Sequence, residues 1–210
     1  MSWPPDAARF GASAEFADWA RTFPSAKSAW LACPKPEWSL WLAAEVPNLS
    51  KDEQRTVVRA ALETAGDVRS SYLMFLRAWV GPREALEAWS RGDRYRLDSR
   101  QKLIAGNLAF VLALSGVIAL DHVYGALFGT GTLRAFGQAA AVMIAWAALA
   151  PFAWMIRRRQ LDGAARTLSF DEAVKAAATL LQNTARDRDA ATLAASFRGS
   201  LRTFSSTDFG

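Results

Sequence analysis

"VIALDHVYGALFGTGTLRAF", residues 117–136, interrupts an apolar stretch with Asp121 and His122, then with two Gly-Thr pairs and Arg134. It is either an acid–base pair inside a soluble helical protein or the tip of a membrane hairpin. The runs on its two sides decide between these. Residues 103–120, "LIAGNLAFVLALSGVIAL", are 18 positions without a charge, with Asn107 and Ser115 as the polar interruptions. At about 1.5 Å per helical residue they reach roughly 27 Å, close to the thickness of a bilayer core. Residues 135–156, "AFGQAAAVMIAWAALAPFAWMI", are 22 uncharged positions, roughly 33 Å as a helix. A soluble domain of this size rarely buries two helices on every side.

The charge distribution supports the hairpin. Of the net +5, residues 1–92 contribute nothing, with 11 Lys+Arg against 11 Asp+Glu. Residues 93–102 hold 4 against 2, and residues 157–169 hold 4 against 1. The apolar block between them, 103–156, carries only Asp121 and Arg134. A nucleic-acid footprint would instead spread cations along a folded face, so nucleic acid is not an expected partner. The lipid bilayer is. "GTGTLR", residues 129–134, suits a tight turn. Helices joined by so short a link are antiparallel neighbours, and both basic flanks then lie on one side. The positive-inside rule makes that side cytoplasmic. The expected location is the bacterial inner membrane, multi-pass, with both termini in the cytoplasm. The N-terminus shows neither the basic nor the apolar segment of a cleavable signal peptide.

On this reading Asp121 and His122 fall near the outer end of the first span, where they are hydrated or meet Arg134 across the hairpin. That is an interfacial helix end. Ionisable residues inside a span are otherwise read as functional, so Asp121, His122 and Arg134 stand as a candidate polar cluster for proton relay or pore lining. Two ladders of small residues, Ala105/Ala109/Ala113 with Gly116 and Gly137/Ala141/Ala145, are expected to bring helices close, within the hairpin or between copies. Tyr95, Trp146 and Trp154 are amphipathic, with Trp154 placed as an interfacial ring. Pro151 is a potential kink.

Residues 1–92 hold seven of the nine tryptophans. Capping and stop signals recur through them: Ser13, Ser25 before Pro34, Pro36, Ser50 with Glu53, Pro82 and Gly92. These predict five or six short helices, one of them in "DVRSSYLMFLRAWV". Trp38, Trp41 and Leu42 share a helix face, as do Phe16, Trp19 and Phe23. Such stripes are core or a protein-binding groove, with Trp30, Trp38 and Trp41 the groove candidates. The tail "SFDEAVKAAATLLQNTARDRDAATLAASFRGSLRTF" opens on a second capping-box spacing, Ser169 and Glu172, and is amphipathic, with a break near "RDRD". It is expected to dock on the bundle, lie on the membrane, or bind another copy.

The expected fold is therefore all-α: a Trp-rich cytoplasmic bundle (1–92), a basic linker (93–102), a first transmembrane helix (103–128), an external turn (129–134), a second transmembrane helix (135–156), then a basic stop and cytoplasmic amphipathic helix with a disordered end (157–210). No enzyme is expected. There is no Gly-rich phosphate loop and no nucleophile elbow. Cys33, the one cysteine, lacks a histidine partner in residues 1–92, and the single histidine, His122, excludes a His-rich metal site. No metal or cofactor is expected.

"SAKSAWLACPKPEWSLWLAAEV", residues 25–46, resembles the start of a helical immunity-protein family of bacterial polymorphic toxin systems. Trp30, Cys33, Trp38, Leu40, Trp41, Leu42 and Ala43 carry the likeness, followed by "VVRAALETAGDV" and by "AWSRG" at residues 88–92. The family is typically soluble, so the apolar hairpin is a departure from it. The resemblance implies a membrane-anchored immunity protein that binds and neutralises a toxin partner at the cytoplasmic membrane face. The alternatives are a two-helix membrane effector that oligomerises and perturbs the bilayer in a defence system, or a structural subunit of a membrane complex.

Overall fold

The computed structural model describes residues 3, 9–66, 81–92, 97, 99–128, 133–186 and 188–201, with backbone alone at 99–100, 124, 126–128 and 133–136. The described residues are all-helical, in nine helices and without a strand. Two compact units divide the chain. The first takes the described residues up to 66, 81–92 and those from 162 onward; the second takes the described residues from 97 to 161.

In the first unit, a helix begins either where a side chain satisfies free N–H groups of its first turn or where a proline opens it without a side-chain cap. Ser13 caps α1 (Ala14–Ala20), and Ser25 forms a capping box with Ser28 at the head of α2 (Ala26–Ala32). Cys33, extended at ψ 119 because Pro34 follows, ends α2. Pro36 opens α3 (Pro36–Ala44). Ser50 and Glu53 box the start of α4 (Lys51–Ala65), which Gly66 ends with φ +66, a left-handed conformation that a side chain would strain. Pro82 opens α5 (Pro82–Arg91), and Gly92 closes it. The helix expected in "DVRSSYLMFLRAWV" lies outside the described residues.

The tail is two helices, α8 (Phe170–Ala185) and α9 (Ala190–Ser200), broken at the "RDRD" segment. Ser169 and Glu172 box the first, and Asp189 caps the second through Thr192 N at 2.9 Å. Of the three places open to it, the tail takes the bundle. α8 packs on α3, α4 and α5, and α9 on α3 and α4. Val174, Ala177 and Leu181 join Phe197 and Leu201 in the same core as Val57, Val58 and Leu86. Hydrogen bonds fasten the seam: Arg198 Nη1 to Cys33 O at 2.7 Å, Trp89 Nε1 to Leu168 O at 3.0 Å, and Thr184 Oγ1 to Ala65 O at 3.4 Å. The sequence drew bundle and tail as separate segments; here they fold as one unit. The reason lies in α3. All nine of its residues are buried, so the helix is enclosed on every side rather than on one stripe, and α8 and α9 supply part of that enclosure.

The second unit is built on α6 (Ser99–Phe128) and α7 (Leu133–Thr167), whose last residues from Asp162 belong to the first unit. Both helices overrun the predicted spans. α6 starts inside the basic linker, and α7 runs on through "RRRQLDGAART". Arginine, glutamine and alanine propagate a helix well, and charge does not end one. Pro151 lies inside α7 without ending it.

Candidate functional site

The hairpin is the feature of the second unit that most resembles a working part. Stretches Gln101–Val123 and Gly137–Thr167 are long and apolar enough to cross a membrane, with 22% and 11% of their most apolar windows buried. A core helix of a soluble domain is mostly buried. Here Leu112, Leu120, Val123, Ile144, Phe152 and Ile156 are all exposed. Helices suit such a setting because each backbone N–H and C=O is satisfied within its own segment.

Two indole N–H groups tie the helices together. Trp146 Nε1 donates to Gly106 O and Trp154 Nε1 to Lys102 O, each at 3.0 Å. Later residues of α7 meet earlier residues of α6, so the pair is antiparallel. Trp154, expected as an interfacial ring, uses its indole N–H as a clasp between the helices. The sequence offered no signal for this, because the acceptors are backbone carbonyls that any residue carries.

The small-residue ladders behave differently from each other. Ala105, Ala109 and Ala113 are buried, as a close helix contact requires, while Gly116 is exposed. Gly137 and Ala141 are exposed and Ala145 half-buried. On α7 the buried positions are Val142, Ala150, Arg157 and Leu161 instead. The buried face of α7 is thus turned from the predicted ladder, because larger side chains and the two indoles set the contact.

At the far end, Asp121 is half-buried and His122 exposed, with His122 Nδ1 3.2 Å from Ile118 O of its own helix. Successive helical residues point about 100° apart, so the two do not share a face. The side chain of Arg134 lies outside the described residues. Among the described residues no three His, Cys, Asp or Glu side chains gather as a metal site.

Of the two readings of the tryptophan stripes, core and groove, the packing gives core for these three rings. Trp30, Trp38 and Trp41 are buried, at 8%, 4% and 2% exposure. Trp38 lies 4.9 Å from Trp19 and Trp41 5.1 Å from Phe16, centroid to centroid, and Trp30 meets Phe197 edge-on at 6.3 Å. These rings are core. α3, which carries Trp38 and Trp41, has all nine residues buried and so no free face, and Trp30 on α2 is turned inward against α9.

Around Cys33 the chemistry is inert. Its Sγ donates to Lys35 O at 3.4 Å, and Arg198 Nη1 reaches both Cys33 O and, at 3.5 Å, Ser39 Oγ. Burial pushes the thiol up to about 11, against the partial opposition of its bond with Ser39. Such a thiol is neither nucleophile nor ligand at neutral pH. Burial likewise raises Glu37 above the usual carboxylate range, with the charge of Lys35 opposing it more weakly. Glu53, Glu172 and Asp189 are held below it by the hydroxyl groups and N–H groups of the caps they serve.

Comparison with protein-family models, with curated proteins and with solved structures finds no match to this chain.

Proposed function

We propose that the chain is a membrane-anchored protein-binding protein of the bacterial inner membrane, with both termini cytoplasmic. Its helical body binds and neutralises a protein partner, a toxin on the immunity-family reading, at the cytoplasmic membrane face. The observation that carries the anchor is the hairpin: two apolar helices clasped by Trp146 and Trp154, exposing apolar side chains, with the chain's excess positive charge at one end. The likeness of residues 25–46 to the immunity family supports the partner class. With the three tryptophans in the core, the partner surface lies elsewhere on the body.

Sodium carbonate washing and reporter fusions test the anchor. The chain should stay with the membrane, alkaline phosphatase should be active when inserted at residues 129–132, and green fluorescent protein should fluoresce at the C-terminus. Release by carbonate, or the opposite reporter pattern, refutes it. Pull-down of the full chain from native membranes tests the partner: a small toxic protein whose activity the chain abolishes supports it, and recovery of the chain alone counts against it. The effector reading draws on Gly137 and Ala141, small residues spaced by four that stay exposed. Growth arrest on overproduction would favour that reading over immunity.

A further inference from the structure

At the Trp154 end of the hairpin, both helices pass abruptly from apolar to basic surface. Trp154 Nε1 donates to Lys102 O at 3.0 Å, which sets Lys102 of α6 beside the last apolar turn of α7. Leu103, next to Lys102, is exposed, and on α7 Phe152, Met155 and Ile156 are exposed up to the arginines. Lys102 and Arg159 are exposed as well, and all of these residues belong to the second unit. At about 1.5 Å per residue, Arg159 stands roughly 4.5 Å beyond Ile156 along the helix. The headgroup layer is roughly 5–7 Å deep on each side of the apolar core. α7 stays helical through Thr167, so a helix and not a loop holds the arginine at that depth. Asp162 is one carboxylate facing three consecutive arginines, Arg157, Arg158 and Arg159. The flanks 93–102 and 157–169 hold 4 Lys+Arg against 2 acids and 4 against 1, so their balance stays positive after every acid in them is paired.

We propose that this basic end binds the headgroups of anionic phospholipids in preference to zwitterionic ones. Lys102 and Arg159 can lay their alkyl stems along the neighbouring apolar side chains and keep their charged heads at the phosphate level. A zwitterionic headgroup brings its own cation to that level, whereas an anionic one offers a charge that the flanks of the hairpin can match. The clasp contributes by holding a cation from each helix at the same end of the pair. This inference rests on the membrane reading and names the class of lipid that the anchor takes.

Quenching of tryptophan emission by brominated lipids tests this in the full chain. The protein is reconstituted in mixtures of phosphatidylcholine and phosphatidylglycerol with one or the other brominated, which gives the relative binding of the two lipids. Brominated phosphatidylcholine should quench, and phosphatidylglycerol should be preferred about fivefold, roughly the effect of one cation near the surface. The double variant Lys102→Gln/Arg159→Gln should still be quenched by phosphatidylcholine, with the preference reduced to less than about twofold. Lys27→Gln, at an exposed position on α2 of the other unit, should keep the full preference. Quenching by phosphatidylcholine without a preference for phosphatidylglycerol overturns this inference and leaves the anchor standing. Quenching by neither lipid overturns both. A double variant that keeps the fivefold preference also overturns the inference.

Discussion

Leu181→Ala is the sharpest test of a tail that completes the bundle. Leu181 is fully buried on α8, within the core shared with α3 and α4. The change removes three carbons, worth roughly 2.4 kcal/mol of transfer free energy at about 0.8 kcal/mol each. A residual void of roughly 50 Å³ adds about 1.2 kcal/mol. The total, about 3.5 kcal/mol, lowers the folded-to-unfolded ratio roughly 400-fold, a large part of a typical domain's stability. The assay is urea unfolding of the full chain in detergent, followed by tryptophan emission. Seven of the nine tryptophans lie in residues 1–92, so the signal reports the N-terminal bundle rather than the tail. At about 2 kcal/mol per molar urea, the midpoint should fall by about 1.5–2 M. Gln182→Ala, at the exposed neighbouring position, should move it by less than about 0.3 M. If Leu181→Ala behaves like Gln182→Ala, the tail is not part of the bundle's core.

Cys33 should resist alkylation in the folded chain. At pH 8 a thiol at about 11 is roughly one part in a thousand thiolate, against about one in ten at its usual 9.0, so folding should slow iodoacetamide labelling by about 100-fold or more, as read by mass spectrometry. Labelling at equal rates with and without urea would place Cys33 at the surface. Glu37→Gln should act in a pH-dependent way. Because burial raises the folded carboxyl's pKa, its contribution to stability is present at acid pH and lost as pH rises through the folded value. The variant should therefore gain over wild type in urea midpoint at pH 7 and match it near pH 4; an offset that is the same at both pH values contradicts that account. Trp146→Phe removes the indole bond to Gly106 O and should weaken the hairpin by about 0.6 kcal/mol, the usual scale of a hydrogen bond between helices in lipid, measured by steric trapping in bilayers. No loss would mean the clasp contributes nothing beyond packing.

What the sequence determined by itself is local. Ser50 with Glu53 and Ser169 with Glu172 announce helix starts because a side-chain oxygen must meet N–H groups three residues away, and both boxes are present. Gly66 and Gly92 mark helix ends because each sits at positive φ. The two apolar runs are legible because length and absence of charge are properties of the chain, not of its neighbours. Tertiary structure decided the rest, since it depends on which surfaces meet. An indole can line a core or a groove with the same spacing; Trp38 and Trp41 are core only because Phe16 and Trp19 close over them. Ala105 and Gly137 both read as small-residue contacts, yet only the first is buried, and on α7 the indoles of Trp146 and Trp154 reach across to the other helix instead. Arg59, Arg83 and Arg91 are spread over 33 positions and carry no motif, so the cleft they line beside α4 and α5 exists only once those two helices have packed.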